Sequence, residues 1–112
     1  MDLSTETVGN ILVIAPMFRH VDAANSKEFK EAIVPLLAQS GHVLIDLSEI
    51  QFLDSSGLGV LLSCLRHAKR GGGELKLCGL TRPVHVLFEL VRMHRVFEIF
   101  PARDEALRSF AS

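Results

Sequence analysis

Tryptophan and tyrosine are absent from the 112 residues, leaving seven phenylalanines as the large aromatics. A stacking platform for bases or sugars is therefore not indicated. An excess of charge of either sign is also missing. Twelve basic residues stand against thirteen acidic ones, a formal net charge of −1, so there is no long-range field to draw the chain to nucleic acid or to an anionic membrane. The two cysteines, Cys64 and Cys78, have no CxxC spacing, which suggests buried thiols in a reducing compartment rather than a disulfide or a zinc site. Long apolar runs are lacking too: Ile11 to Pro16 falls far short of the roughly 20 residues that span a bilayer. Met1 to Asn10 contains Asp2 and Glu6 but no basic residue, unlike a secretory leader. The expectation is a cytoplasmic protein without membrane contact.

Several catalytic and cofactor signatures are missing as well. Gly57-Leu58-Gly59 is not a dinucleotide fingerprint, because Leu62 stands where the third glycine should be, and no GxxxxGK[ST] occurs. The histidines His20, His42, His67, His85 and His94 form neither HExxH nor a spaced Cys/His set, so neither a metal nor a cofactor is expected. A Ser-His-Asp hydrolase using Ser55 lacks the G-x-S-x-G elbow. Val43-Leu-Ile-Asp46 has the form of a strand carrying a phosphoacceptor aspartate, but Ile14-Ala-Pro-Met-Phe18 supplies none of the acids that would hold magnesium beside it. Asp46 is read as a polar strand end.

What is present is a core: 48% hydrophobic and 22% charged residues fit one compact domain over residues 1–112. Leu3 to Val8 is a weak first strand, turned by Gly9-Asn10 into the β-branched run Ile11 to Ala15. Phe29, Ala32, Ile33, Leu36 and Leu37 recur as one buried helical face between Ala24 and Gln39, with Asp22 as its N-cap and either a kink at Pro35 or a restart with Pro35 in a first turn. Val43 to Leu47 is apolar enough for a strand covered on both faces, and Ile50 to Leu53 continues toward the core. Leu58, Leu61, Leu62, Leu65 and Ala68 mark a second helix, opened by Asp54-Ser55-Ser56 and ended by Gly71 to Gly73. Its last turn carries Arg66, Lys69 and Arg70, where cations complement the helix dipole. Glu74 to Cys78 alternates as a strand. Val84, Leu87, Phe88 and Val91 mark a third helix, Val96 to Phe100 a short last strand, and Ala106, Leu107 and Phe110 a terminal helix. The order ββαβαβα(β)α predicts an α/β fold: a mostly parallel mixed sheet of four to five strands packed with about four helices.

Phe52-Leu-Asp-Ser-Ser-Gly-Leu-Gly-Val60 is the densest small-polar cluster in an apolar stretch. The first amides of a helix lack intrahelical partners and carry partial positive charge, so this end tolerates an anion. Ser55 and Ser56 offer short hydroxyls, and Gly57 and Gly59 would let another macromolecule approach the backbone. The same residues also suit a plain helix cap with close packing on the sheet.

Asp54-Ser-Ser-Gly-Leu-Gly59 resembles the signature of the STAS family, the sulfate-transporter and anti-sigma-factor-antagonist domains, and in particular its small stand-alone bacterial antagonists. The resemblance extends over nearly the whole chain. Asp22-Ala-Ala-Asn resembles the segment entering the family's first helix, and Val43-Leu-Ile-Asp-Leu-Ser48 its central strand. Gly72-Gly-Glu-Leu-Lys-Leu and Val96-Phe-Glu-Ile-Phe resemble its glycine turn with the next strand and its closing segment. This implies a STAS fold and a noncatalytic partner-switching regulator. In such a regulator the unmodified antagonist binds an anti-sigma factor, itself a serine kinase with a histidine-kinase-like ATPase fold, and so frees a sigma factor. Phosphorylation by that kinase switches the antagonist off, and a serine phosphatase reverses it. The phosphoacceptor would be Ser55, with Ser56 as second choice; Asp22, Asp54, Ser55, Ser56, Gly57 and Gly59 would form the partner surface. The alternative is a STAS subunit of a phospholipid-transport ATPase assembly, without a phosphoswitch. Three positions depart from the family pattern: Arg19 and Arg92 stand where glycines are usual, and Pro35 interrupts the first helix.

Overall fold

The computed structural model describes residues 1–110. The first strand, β1 (Leu3–Val8), is antiparallel to β2 (Ile11–Pro16) across the two-residue turn Gly9-Asn10. Gly9 has φ +62° and sits first in the loop, where a type II′ turn calls for glycine. Three further strands, β4 (His42–Asp46), β6 (Glu74–Cys78) and β7 (Glu98–Phe100), extend the sheet in the order β1-β2-β4-β6-β7, all parallel to β2. Helices α1 (Ser26–Leu37), α2 (Ser55–Arg70) and α3 (Arg82–Leu90) make the crossovers, and α4 (Arg103–Phe110) closes the chain. From β2 the strand order advances in one direction, so crossovers of one hand put α1, α2 and α3 on the same face.

The period of two along the strands divides the core. Leu12 and Ile14, Val43 and Ile45, and Leu75 and Leu77 face Phe29 and Ile33 of α1, Leu61 and Leu65 of α2, and Val84 and Phe88 of α3. Ile11, Val13, Leu44 and Cys78 point the other way, where Ala106, Leu107 and Phe110 of α4 cover them. Both thiols are free and buried. Burial pushes each up to about 12, against the opposing charge of Lys30 at Cys64 and with the Asp46 carboxylate adding to the effect at Cys78. Among the described residues, no helix is long and apolar enough to cross a membrane.

The structure alters four of the local expectations. Helix α1 begins at Ser26, not Ala24, and Asn25 rather than Asp22 precedes it. Asp22 instead accepts the Ala24 amide at 2.9 Å, forming a turn ahead of the helix. Pro35 interrupts nothing. Helix α1 runs through it to Leu37, because Pro35 lies in the last turn on the exposed side and the carbonyl it leaves unpaired, that of Glu31, belongs to an exposed residue. The segment before α2 contains a two-residue strand, β5 (Phe52–Leu53), paired in parallel with β3 (His20–Val21). Leu53 is buried there as expected, but Phe52 is 54% exposed. The last strand is confined to Glu98–Phe100, after a 3-10 turn at Met93–Arg95.

Two charged groups hold the α4 face in a way the sequence pattern hid. Lys76 is buried under α4, donating from Nζ to the Ser109 hydroxyl at 2.9 Å and carbonyl at 3.2 Å, with the Phe110 ring centroid 4.5 Å away. Asp46 is also buried. Its Oδ2 accepts from Nη2 and Nε of Arg103 at 2.8 and 3.1 Å, and its Oδ1 accepts the Ser48 amide at 3.0 Å. Burial alone would raise the Asp46 carboxyl, but the hydrogen bonds from Arg103 and Ser48 outweigh it and the group is held below its ordinary value.

A carboxyl depressed in the fold adds stability above its unfolded value of about 3.9, and this contribution disappears as the pH falls through the lower folded value. Asp46→Asn should therefore cost about 1.5–3 kcal/mol at neutral pH. It should also flatten the loss of stability between about pH 5 and pH 3, read from urea midpoints across that range. Arg92 provides a second test. At φ 59° and ψ 30° it is the one non-glycine among the described residues in the left-handed region, whereas Arg19 has no such strain. Arg92→Gly should raise the unfolding free energy by about 0.5–1 kcal/mol, the relief of a side-chain clash less the entropy glycine adds to the unfolded chain.

Candidate functional site

Helix α2 starts abruptly because Asp54 is extended, at φ −107° and ψ −170°, and turns its carboxylate back over the first turn. Asp54 Oδ1 accepts the amides of Ser56 at 2.8 Å and Gly57 at 3.2 Å, two of the donors that a helix leaves unpaired at its start. The second oxygen reaches across the molecule: Oδ2 accepts the Ala23 amide at 3.2 Å. One carboxylate thus fixes both the start of α2 and the loop that leads into α1.

That loop is built from its own short polar side chains. Asn25 Oδ1 accepts the Asp22 amide at 2.9 Å, and Asn25 Nδ2 donates to the His20 carbonyl at 3.0 Å. The β3–β5 ladder continues into the site through the Asp54 amide, which donates to the Val21 carbonyl at 3.2 Å. Asp22 and Asp54 are therefore brought to one end of the sheet, where they accept the Ala24 and Ala23 amides. His20 lies 3.8 Å from Asp22.

Ser55 is the first residue of α2 and is exposed. Its hydroxyl makes no hydrogen bond among the described residues, to histidine or to any other base. Ser56, next to it, is half-buried. A phosphate on Ser55 would find less compensation than a bare helix start offers, because Asp54 already occupies the Ser56 and Gly57 amides. Among the described residues, no three of His, Cys, Asp or Glu gather as metal ligands.

The two glycines of the motif have different roles. Gly57 is buried, and a side chain there would meet Leu53 Cδ2 at 2.6 Å and Val21 Cβ at 3.1 Å. The open backbone expected at Gly57 is therefore filled by the protein's own β3 and β5. At Gly59 a Cβ would meet nothing within 4 Å; this glycine does border open space. Phe52, in the segment expected to continue toward the core, stands exposed three positions before Ser55. Its position in a strand of only two residues gave no alternation from which to assign a face.

Residues 2–106 match the family model of the STAS domain. The chain belongs to the STAS domain family. Among curated STAS relatives, the anti-sigma F factor antagonist of Paenibacillus polymyxa is 35% identical over 69 residues, covering 62% of this chain. The match spans 59% of that relative's own length. The anti-sigma-B factor antagonist of Listeria monocytogenes is 35% identical over 80 residues, 70% of each chain. Among solved structures, the anti-sigma factor antagonist SpoIIAA in its unphosphorylated form superposes with a TM-score of 0.75 at 19% identity, covering 98% of this chain and 96% of its own. SpoIIAA of Bacillus in its phosphorylated form gives 0.70 at 18% identity, covering 99% and 100%. These likenesses place the STAS fold, with its five-stranded mixed sheet and four helices.

The two STAS glycines should respond in opposite directions to the same substitution. Gly57→Ala is expected to cost about 1–2 kcal/mol, because crowding against Val21 and Leu53 exceeds the gain in helix propensity. Gly59→Ala should add up to about 1 kcal/mol. Chemical denaturation of both variants, side by side, reads the contrast.

Proposed function

We propose that this STAS protein is an anti-sigma factor antagonist, a noncatalytic binding module whose partner is an anti-sigma factor. The names of the curated relatives support this reading, and the site's geometry supports its finer form. In that form the partner is a serine kinase of histidine-kinase-like ATPase fold, the unmodified protein binds it and releases a sigma factor, and phosphorylation of Ser55 ends the binding until a serine phosphatase removes the group.

The observation that carries the reading is the exposed, unbonded Ser55 hydroxyl directly after a carboxylate held by three amides. A neutral hydroxyl at that place can enter a close protein contact, and a kinase can reach it. A phosphate there adds about −1.5 to −2 charge. It stands beside Asp54, whose charge already serves the helix start, and near Asp22. A contact fitted to the hydroxyl would then have to desolvate two adjacent anionic groups without a new cation, so affinity falls while the fold persists. The formal net charge passes from −1 to about −3.

The test is binding of the host's anti-sigma factor to the parent, Ser55→Ala and Ser55→Glu by calorimetry, with thermal melting of each. Ser55→Ala should bind within about threefold of the parent, whereas Ser55→Glu should bind at least about tenfold more weakly, with all three melting alike. Equal binding by Ser55→Glu would remove the charge-exclusion account. Phosphate mapped to Ser56 in protein from the host would move the switch to the second serine.

A further inference from the structure

Between α1 and α2, beside the proposed switch, lies an open groove of about 430 Å³. Its walls are Ser26, Lys27 and Lys30 of α1 and Ser56, Gly59, Val60, Ser63 and Arg66 of α2. Three features indicate what it receives. First, its charge is of one sign: Lys27, Lys30 and Arg66 line it and no acid does. None of the three cations takes part in an ion pair among the described residues. Glu28 of α1 is engaged elsewhere, 3.2 Å from the amino terminus.

Second, parallel crossovers bring the starts of both helices to the same end, so the start of α1, which no side chain caps, lies at the mouth of the groove beside the α2 start that Asp54 already caps. Third, Gly59 forms part of the wall without serving the fold. Its φ is ordinary and nothing lies where its side chain would be, yet glycine in a helix interior is unfavourable. What its absence of side chain provides is room above the α2 backbone.

We propose that this groove docks an extended acidic segment of the partner protein, with its carboxylates on Lys27, Lys30 and Arg66 and its backbone over Gly59. The proposal rests on the reading of the chain as a partner-binding regulator and identifies the chemistry of the partner's contact. From Ser56 to Arg66 the helix rises about 15 Å, the length of four or five extended residues. The lining holds no aromatic ring on which a nucleic-acid base could stack, and the chain's net charge of −1 gives no general attraction for a polyanion. The groove is lined by Ser56, so a segment lying in it ends next to Ser55. A phosphate at Ser55 would then oppose the acidic segment directly.

The groove can be tested without the anti-sigma factor. The isotope-labelled 112-residue chain is titrated with a decaglutamate peptide, and separately with inorganic phosphate, while backbone amide resonances are followed. Saturable shifts confined to Ser26–Lys30 and Ser56–Arg66 are expected with the peptide. Its affinity should fall at least about tenfold in Lys27→Gln/Lys30→Gln/Arg66→Gln and in Gly59→Leu, which keeps every charge but fills the wall; both variants should retain the parent's spectrum elsewhere. Absent or unsaturable shifts, undiminished binding by either variant, or equal shifts with phosphate at the same concentration would overturn the proposal. Because no anti-sigma factor is present, such a failure is separate from a failure of the Ser55 experiment.

Discussion

The end of the molecule where α1 and α2 begin depends on the Asp54 carboxylate. Three amides from two distant segments converge on its two oxygens, those of Ser56 and Gly57 in the first turn of α2 and that of Ala23 before α1. A carboxylate is suited to this because it accepts from several directions at once and its negative charge complements a helix start. The small β3–β5 ladder supports the same junction from below, through the Val21 carbonyl and through Val21 and Leu53 packed against Gly57. Ser55 therefore projects from a corner whose backbone is fixed by hydrogen bonds on both sides.

The opposite face of the sheet has another kind of support. There α4 covers the outward residues of β2, β4 and β6, and two charges buried at its border replace apolar contacts. Asp46 meets Arg103 with two hydrogen bonds, and Lys76 meets Ser109, the Phe110 ring and the carboxylates of Glu98 and Glu74. Removing one member of such a pair leaves the other short of partners in a place poor in water. These interactions lie on the sheet face away from α1 and α2, so the Asp54 end and the closing helix are supported by separate sets of contacts.

Much of this was legible in the residues. The α2 stripe, its Asp-Ser-Ser start and the apolar run of β4 indicated the order of elements and where a candidate site would lie, because a 3.6 period over sixteen residues and a fully apolar strand are strong local signals. What escaped were features set by tertiary neighbours. Asp46 and Arg103 are fifty-seven positions apart, and no local pattern joins them. Lys76 alternates with Leu75 and Leu77 as a solvent-facing residue would, until α4 is laid across it. Strands β3 and β5 are too short to have a period, so Phe52 could not be assigned a face. Gly57 and Gly59 look equivalent in the chain and differ only in what stands opposite them. Pro35 suggested a break because its position in the last, exposed turn was not visible from sequence.

The anchoring of Asp54 also bears on time. A site whose backbone is already fixed has no loop to order before a partner arrives, so encounter is not delayed by the slow rearrangements that accompany folding on binding. On the proposed reading, the protein would keep its state for as long as a phosphoester lasts on Ser55. The rhythm of the response would then be set by the enzymes that make and break that bond, with the STAS domain serving as a memory that does not itself relax.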